Sequence, residues 1–455
     1  MPRLATCVAA LAACAIGAGT AVAQQPTPTS PTTTPTAPTT PAPAAGPPKL
    51  SSLRLPAVVS AQQGHARFLV GIRLSTPAKL TVQVMSSAGK VVQATTDATA
   101  RKAGRAYVRV EAVDTRGFQL LQGAYKLRIQ ATDGQGRTSP AVEGPFRLRL
   151  TTPRGLFDAY TVPLWRAFRR QVGTATPGQL VAVVGPKGVV ATAGLRRGDV
   201  ITSLNGVAVA QPGAWQTALR GLPAGKTVEI QYVRKGQTVT ASLQPKPDWE
   251  AAPDYAKSLA VAVKREPRVL AYSVAQVRQL IDGAKLADAK ALIDAWPAAW
   301  RTTAPGQLVQ GDLEAKAGRW KQALGAYNRA RKKDATLAAA EFGRGLALSE
   351  LKKTNPSIVA FGAAATLDPT DASAFGFRAY ALLQAGRDAD AVVAARQAVA
   401  LDSRYADAFL PFGIALIATG DKPAGVKALR RGLVLLEEPD RADQLITQHL
   451  DPTDP

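Results

Sequence analysis

Residues 194–209 read "GLRRGDVITSLNGVAV", a turn, a strand and a second turn, and the chain on either side is organised around them. Gly194 follows a small residue, Ala193, that reads as buried, and Gly198 with Asp199 makes a tight turn into the apolar strand Val200 to Leu204. Asn205 with Gly206 is a hairpin-type turn, because both residue types accept the positive φ that such turns require. Upstream lies "GQLVAVVGPKGVVATA", and before it "RGLFDAYTVPLWRAFRRQVG", which reads as a strand followed by a short helix. Downstream, "GAWQTALRGLPAGKTVEIQYVRKGQTVTASLQP" reads as a helix and two strands around a turn at Lys235 and Gly236.

In order and spacing these segments, from Arg154 to Pro247, resemble a PDZ domain of the bacterial HtrA protease kind, an α+β fold. The resemblance implies a site where a partner chain end adds as a strand to an open sheet edge, its terminal carboxylate meeting unpaired amides in a turn. By position, Arg154, Gly155, Leu156 and Phe157 match the carboxylate-binding loop of the family. Leu156, Phe157 and Asp158 then offer the amides, and Arg154 an extra charge. The binding strand runs from Ala159 to Val162. The facing wall is the helix from Gly213 to Arg220, with Ala214 and Thr217 expected towards the groove and Trp215 and Leu219 towards the core. Asp158 stands where the family often has glycine, and its charge would repel a carboxylate if it pointed inward. A PDZ fold used only as a packing module is the alternative reading.

Between Ser51 and Leu150 apolar residues alternate, as in Leu80, Val82, Val84, then Tyr125, Leu127, Ile129, Ala131, then Phe146, Leu148, Leu150. Period two with Gly and Asp turns predicts a β-sandwich, with Arg128, Arg147 and Arg149 on the wet faces. "PAKLTVQVMSSAGKVV" and "DTRGFQLLQGAYKLRIQATDGQGRTS", with Asp114, Gly117, Gly123, Tyr125 and Asp133, resemble immunoglobulin-like modules of the flagellar hook-capping type. That resemblance implies a spacer or adhesion element.

The N-terminus, "MPRLATCVAALAACAIGAGTAVAQQ", pairs one charge at Arg3 with an apolar stretch and a small-x-small ending at Ala21 and Ala23, which predicts a secretory signal over residues 1–23. Leu11, Ala12, Ala13 and Cys14 also resemble a lipobox, so lipidation at Cys14 is the alternative to ordinary cleavage. Both cysteines, Cys7 and Cys14, fall in this segment, which leaves a mature chain without disulfide or thiolate chemistry. Residues 24–50 are almost wholly Pro, Thr, Ala and Gln and predict an extended tether. Beyond the leader no stretch reads as a membrane span.

From about Ser258 the texture becomes Ala-rich and helical, with a period of 34. Gly311, Gly345, Ala379 and Gly413 share one phase; Gly318, Lys352, Gly386 and Gly420 share another; Ala323, Ser357, Ala391 and Gly425 a third. Tyr327, Phe361, Ala395 and Leu429 follow four residues after the third set. Small residues at helix crossings with larger ones filling gaps resemble tetratricopeptide repeats (TPRs) over Pro305 to Leu436, with 258–304 as a degenerate first repeat and Arg441 to Leu450 as a capping helix. First-helix positions Leu308, Phe342, Leu346, Tyr380, Leu410 and Ile414 are expected to line an apolar concave groove; packing between repeats is the alternative use of the same residues.

Residues 1–150 hold 17 Lys/Arg against 5 Asp/Glu, residues 151–250 hold 12 against 5, and the rest 27 against 23, so the net charge of +23 sits mostly in the front half. Anionic envelope polymers are one partner that such a field attracts, solvated surface arginines the other reading; an exported chain argues against nucleic acid. His65 and His449 have no relay partners and cannot make a zinc site. Ser87 to Lys90 and Ser349 to Lys352 fit Ser-x-x-Lys without its companion motifs, and Gly221 to Thr227 runs helix to strand, the reverse of a phosphate loop. The expectation is therefore a multidomain chain: all-β immunoglobulin-like sandwich, α+β PDZ domain and all-α TPR solenoid. It is read as an exported adaptor that binds proteins or peptides, with no catalytic residue, metal or cofactor. An accessory or degenerate member of a protease system, and a basic envelope anchor, are the alternatives.

Overall fold

The computed structural model describes residues 46–62, 66–97, 100–114, 120–151, 153–185, 188–247, 255–436 and 445. The leader, the tether up to residue 45, His65, Gly117, His449 and most of the expected capping helix lie outside the described residues.

Eight strands come first among the described residues: β1 (Leu50–Arg54), β2 (Val58–Gln62), β3 (Arg67–Leu74), β4 (Lys79–Ser86), β5 (Val91–Thr96), β6 (Gly104–Glu111), β7 (Gly123–Thr132) and β8 (Val142–Thr151). They form two sheets, β1-β3-β6 and β2-β8-β7-β4-β5, with β2 parallel to β8. The alternation does what period two requires. Leu80, Val82, Val84, Leu127, Ile129, Ala131, Phe146 and Leu148 are buried between the sheets, while Arg147 and Arg149 face out. Each such large apolar side chain contributes about 1.5–3 kcal/mol on burial.

The second unit carries β9 (Gly155–Leu156), β10 (Ala159–Pro163), α1 (Arg166–Val172), β11 (Gln179–Val184), α2 (Val189–Thr192), β12 (Val200–Leu204), β13 (Val207–Ala208), α3 (Pro212–Gly221), β14 (Val228–Arg234), β15 (Gln237–Leu243) and β16 (Lys246–Pro247). Its main sheet runs β10-β11-β12-β14-β15, with β12 at the centre. The turn before β12 is pinned electrostatically: Asp199 accepts the Arg196 amide at 2.7 Å and two bonds from Arg234, which also donates to the Gly194 carbonyl at 2.7 Å. One sheet face packs on α3 through Val181, Ile201, Leu204, Trp215 and Ile230. The other face carries Val162, Leu180 and Ala182 into a core shared with the helices that follow.

Those helices are α4 (Tyr255–Arg265), α5 (Leu270–Asp282), α6 (Leu286–Asp294), α7 (Ala298–Arg301), α8 (Ala304–Lys316), α9 (Trp320–Lys333), α10 (Ala338–Glu350), α11 (Thr354–Leu367), α12 (Ala372–Gln384), α13 (Asp388–Leu401), α14 (Ala406–Ala418) and α15 (Lys422–Leu435). From α8 onward they are antiparallel pairs whose starts recur every 34 residues, and α5 with α6 falls in the same phase. The turn inside each pair is left-handed at the matching place: Ala284, Gly318, Lys352, Gly386 and Gly420 all have positive φ. At the crossings, a Cβ on Gly311 would stand 2.5 Å from the Tyr327 ring and one on Gly345 2.6 Å from Phe361, so a side chain there would push the paired helices apart.

Two contacts fold the chain back on itself. The sheet β1-β3-β6 meets α15, where the Arg430 guanidinium lies 4.8 Å over the Tyr107 ring and donates to its hydroxyl, and Arg109 donates to the Leu436 carbonyl at 2.6 Å. The second unit lies along the repeat junctions: Gln171 accepts the Leu270 amide at the start of α5, and the Arg278 guanidinium sits 4.9 Å over the Trp165 ring.

Candidate peptide-binding site

Strand β10 is bonded to β11 on one side and ends its sheet on the other, so one row of its backbone groups is open to an added strand. Its side-chain face is not open. Tyr160 packs 5.9 Å from Tyr255 of α4, and burial raises the Tyr160 phenol pKa above its usual range, with Asp282 adding to the rise. Binding at β10 is thus confined to the backbone edge and whatever lies between it and α3.

The loop before β10 is held by its neighbours. The Gly155 amide donates to the Leu222 carbonyl at 2.7 Å, Arg154 bridges Pro223, and Leu156 pairs with Lys246 of β16. A Cβ at Gly155 would meet Pro245 at 2.6 Å, which explains glycine there. Phe157 follows, its ring edge-on to Trp215 at 5.1 Å. Among the described residues the amides of Phe157 and Asp158 donate to no backbone carbonyl.

Asp158 does not point into this loop. Its carboxylate is buried and accepts the Val190 amide at 2.9 Å, while its carbonyl accepts the Gly185 amide at 2.8 Å. A Cβ at Gly188 would fall 1.5 Å from the Asp158 carboxylate, so that glycine makes room for it. The repulsion that an inward aspartate would impose on a terminal carboxylate is therefore lessened, the charge being turned onto the Val190 amide in the first turn of α2. Ala159, the next residue, pairs with Val184 and begins the edge strand.

Helix α3 meets the sequence expectation on its core stripe and departs from it on the other. Trp215 and Leu219 lie in the cluster with Phe157 and Ala159, on the loop side. Thr217, expected to line the groove, is on the side turned to the repeats, between Gly213 and Gly221, which meet Asp371 and Arg404, and the Ala214 amide at the start of the helix donates to Thr370 Oγ1 at 2.9 Å. The Thr217 hydroxyl oxygen is buried without a hydrogen-bond partner. The reason is rotational. Residues 215, 218 and 222 must share the stripe that fills the core, and at 100° per residue 213, 217 and 221 are carried to the opposite stripe. Trp215 is buried in the core as expected, and its ring also touches the loop at Phe157. A pair of large aromatics at the loop and the helix, Phe157 and Trp215, was the available signal.

The expected apolar groove of the repeats is also corrected. Leu308, Leu346, Tyr380, Leu410 and Ile414 are buried, and Phe342 is half-buried with its ring edge-on to Phe361 and Phe377 at 5.6 and 5.3 Å. Leu346, Tyr380, Leu410 and Ile414 share one cluster with Phe342 and Tyr107, and Leu308 a second with Tyr327, because short Ala-rich helices must pack their few large residues into the interior. Asp312 of α8 is a polar member of the same helix set: burial raises its carboxyl pKa, while Arg278 at 3.1 Å and the donating Tyr327 hydroxyl at 3.1 Å pull the other way. Among the described residues no cluster of His, Cys, Asp and Glu is placed to hold a metal, and no helix is long and apolar enough to cross a membrane.

The PDZ domain family matches residues 168–244, and the FlgD Ig-like domain family matches residues 57–135. The first match begins after the loop and β10, so the loop is placed by geometry rather than by the family. The periplasmic serine endoprotease DegP of Salmonella typhimurium is 34% identical over 70 residues, which are 15% of this chain and 15% of that protein. Solved structures similar to this one include MamA 41-end from Desulfovibrio magneticus RS-1, at 16% identity and a TM-score of 0.32, covering 41% of this chain and 97% of that one. They also include YrrB, a TPR protein with an unusual peptide-binding site, at 16% identity and a TM-score of 0.32, covering 41% and 96%. The chain joins an FlgD-type immunoglobulin-like domain and a PDZ domain to helical repeats that resemble a TPR solenoid, and of these the PDZ and TPR-like parts are modules of protein or peptide interaction.

Proposed function

We propose that this chain is an extracytoplasmic, non-enzymatic adaptor that takes the C-terminal ends of partner proteins in the groove between β10 and α3. The observation that carries the reading is the unpaired β10 edge leading into the Phe157 and Asp158 amides, beside the apolar Phe157 and Trp215 pair. An incoming strand pairs with β10, its carboxylate takes the two amides, and its last side chain, apolar by this chemistry, rests on the aromatic pair. Gly155 and Leu156 shape the loop and Arg154 adds positive charge to it. The leader and the Pro- and Thr-rich tether support export. The repeats form the frame of the site.

Display of a C-terminal heptapeptide library against the full chain tests this. Ligands with apolar ends are expected, and amidating the terminal carboxylate of the tightest one should weaken it by about tenfold or more, as loss of a charge-assisted pair of hydrogen bonds does. Equal binding of acid and amide would reduce the domain to a packing module. The stretch shared with DegP favours, as a second reading, an accessory role beside a protease. Turnover of a fluorogenic peptide by the purified chain would displace the adaptor reading.

A further inference from the structure

We infer that the helical repeats set the width of the peptide groove, with Asp368 and Asp402 as positioning residues that hold the two ends of α3; this rests on the reading that the groove takes peptide ends. Asp334, Asp368 and Asp402 recur every 34 residues, each at the junction where one repeat passes into the next. In all three, Oδ1 builds the junction itself, accepting the amide two residues on: Thr336 at 3.0 Å, Thr370 at 3.1 Å and Arg404 at 2.9 Å. At Asp368 and Asp402 the second oxygen is given to the PDZ domain. Asp368 Oδ2 accepts the Gly213 amide at 2.9 Å, at the N-terminal end of α3. Asp402 Oδ2 accepts from Arg220 Nε near the C-terminal end, and the Arg220 guanidinium lies 5.0 Å over the Tyr405 ring. Both aspartates are 2% exposed, so these bonds are made out of water, where they are strongest.

The dimensions agree with two-point attachment. Gly213 and Arg220 are seven residues apart, about 10 Å along a helix at 1.5 Å per residue. Helices α12 and α14, whose N-terminal junctions carry the two aspartates, are in direct contact, and packed helices stand about 8–10 Å apart. At Gly213 a Cβ would fall 2.4 Å from the Asp371 amide nitrogen, so any side chain there would lift α3 from the repeats. The opposite stripe of the same helix carries Trp215 against Phe157. A helix bolted to the array on one stripe and closing the groove with the other cannot move for a ligand unless the junctions move too. Change in the array's curvature and occupancy of the groove are then coupled.

The test uses the full chain and the tightest library peptide, fluorescein-labelled, by fluorescence polarisation. Thr370→Val removes the hydroxyl that accepts the Ala214 amide and donates to Asp368 Oδ1, Asp368→Asn weakens the hold on Gly213, and Arg220→Asp sets like charges against Asp402. Each variant is expected to change peptide affinity by about tenfold, a usual size for coupling between sites, with the circular dichroism of the wild type. Arg220→Asp combined with Asp402→Asn, which keeps an oxygen for the Arg404 amide and removes the facing charge, should restore part of it, which a merely structural contribution would not do. Wild-type affinity in the folded variants, or no recovery of Arg220→Asp by Asp402→Asn, overturns the inference while leaving the groove reading in place. Should Arg220→Asp fail to fold, Thr370→Val decides alone. No peptide binding by the wild-type chain removes the groove reading and this inference with it.

Discussion

At Ala284 and Lys352 the chain adopts left-handed backbone, φ +56° and +59°, where the other repeats place Gly318, Gly386 and Gly420. The Cβ of an L-residue costs about 1–2 kcal/mol in that conformation, partly offset by the lower unfolded-state entropy of alanine. Ala284→Gly should therefore stabilise the chain by about 0.5–1 kcal/mol, read as a higher urea midpoint with an unchanged slope. A lower midpoint would mean that the turn before α6 is not held as described. Asp158 teaches the complementary lesson at the same scale. Its place in the loop is legible from the sequence, but the direction of its carboxylate depends on the Val190 amide and the space at Gly188, over 25 residues away in sequence and set by tertiary contact.

Among elements, α8 and α5 meet through a buried charge. Asp312 keeps its proton to higher pH folded than unfolded, because burial outweighs Arg278 and Tyr327. Between the usual carboxyl value, about 4, and the raised one, the folded state binds more protons, so stability from this group falls as pH rises. Asparagine has no such step. The melting temperature of the wild type relative to Asp312→Asn should therefore become less favourable as pH climbs from about 4, and a flat difference across the range would contradict the assignment. The period of 34 made the helix pairs legible from small residues alone, since Gly311 and Gly345 have room for nothing larger beside Tyr327 and Phe361. The same period could not tell a concave lining residue from one that joins repeats, because both are large, apolar and on the first helix.

At the scale of the whole molecule the first domain closes on the last repeat through Tyr107, Arg109, Arg430 and Leu436. A buried cation–π contact with its hydrogen bond is worth about 2 kcal/mol, enough to hold adjoining domains together most of the time. Arg430→Ala should loosen that contact without unfolding either domain. The expected outcome is a larger radius of gyration by small-angle scattering and faster amide exchange in β3, β6 and α15, with the PDZ core unaffected. An unchanged radius and unchanged exchange would show that the remaining contacts suffice. Nothing local announces such a contact, since its partners are over 300 residues apart.

The sequence by itself determined the modules: period two built the sandwich, turn chemistry around "GLRRGDVITSLNGVAV" built the centre of the PDZ sheet, and small residues every 34 positions built the helix pairs. Each is a short-range property, carried by the φ a residue accepts or the face it must bury. Only the tertiary structure decided how α3 is rotated, where Asp158 points and whether the repeats keep an open groove. Those outcomes depend on which surfaces of separate modules bury one another, and that is settled by long-range packing, which no local pattern encodes.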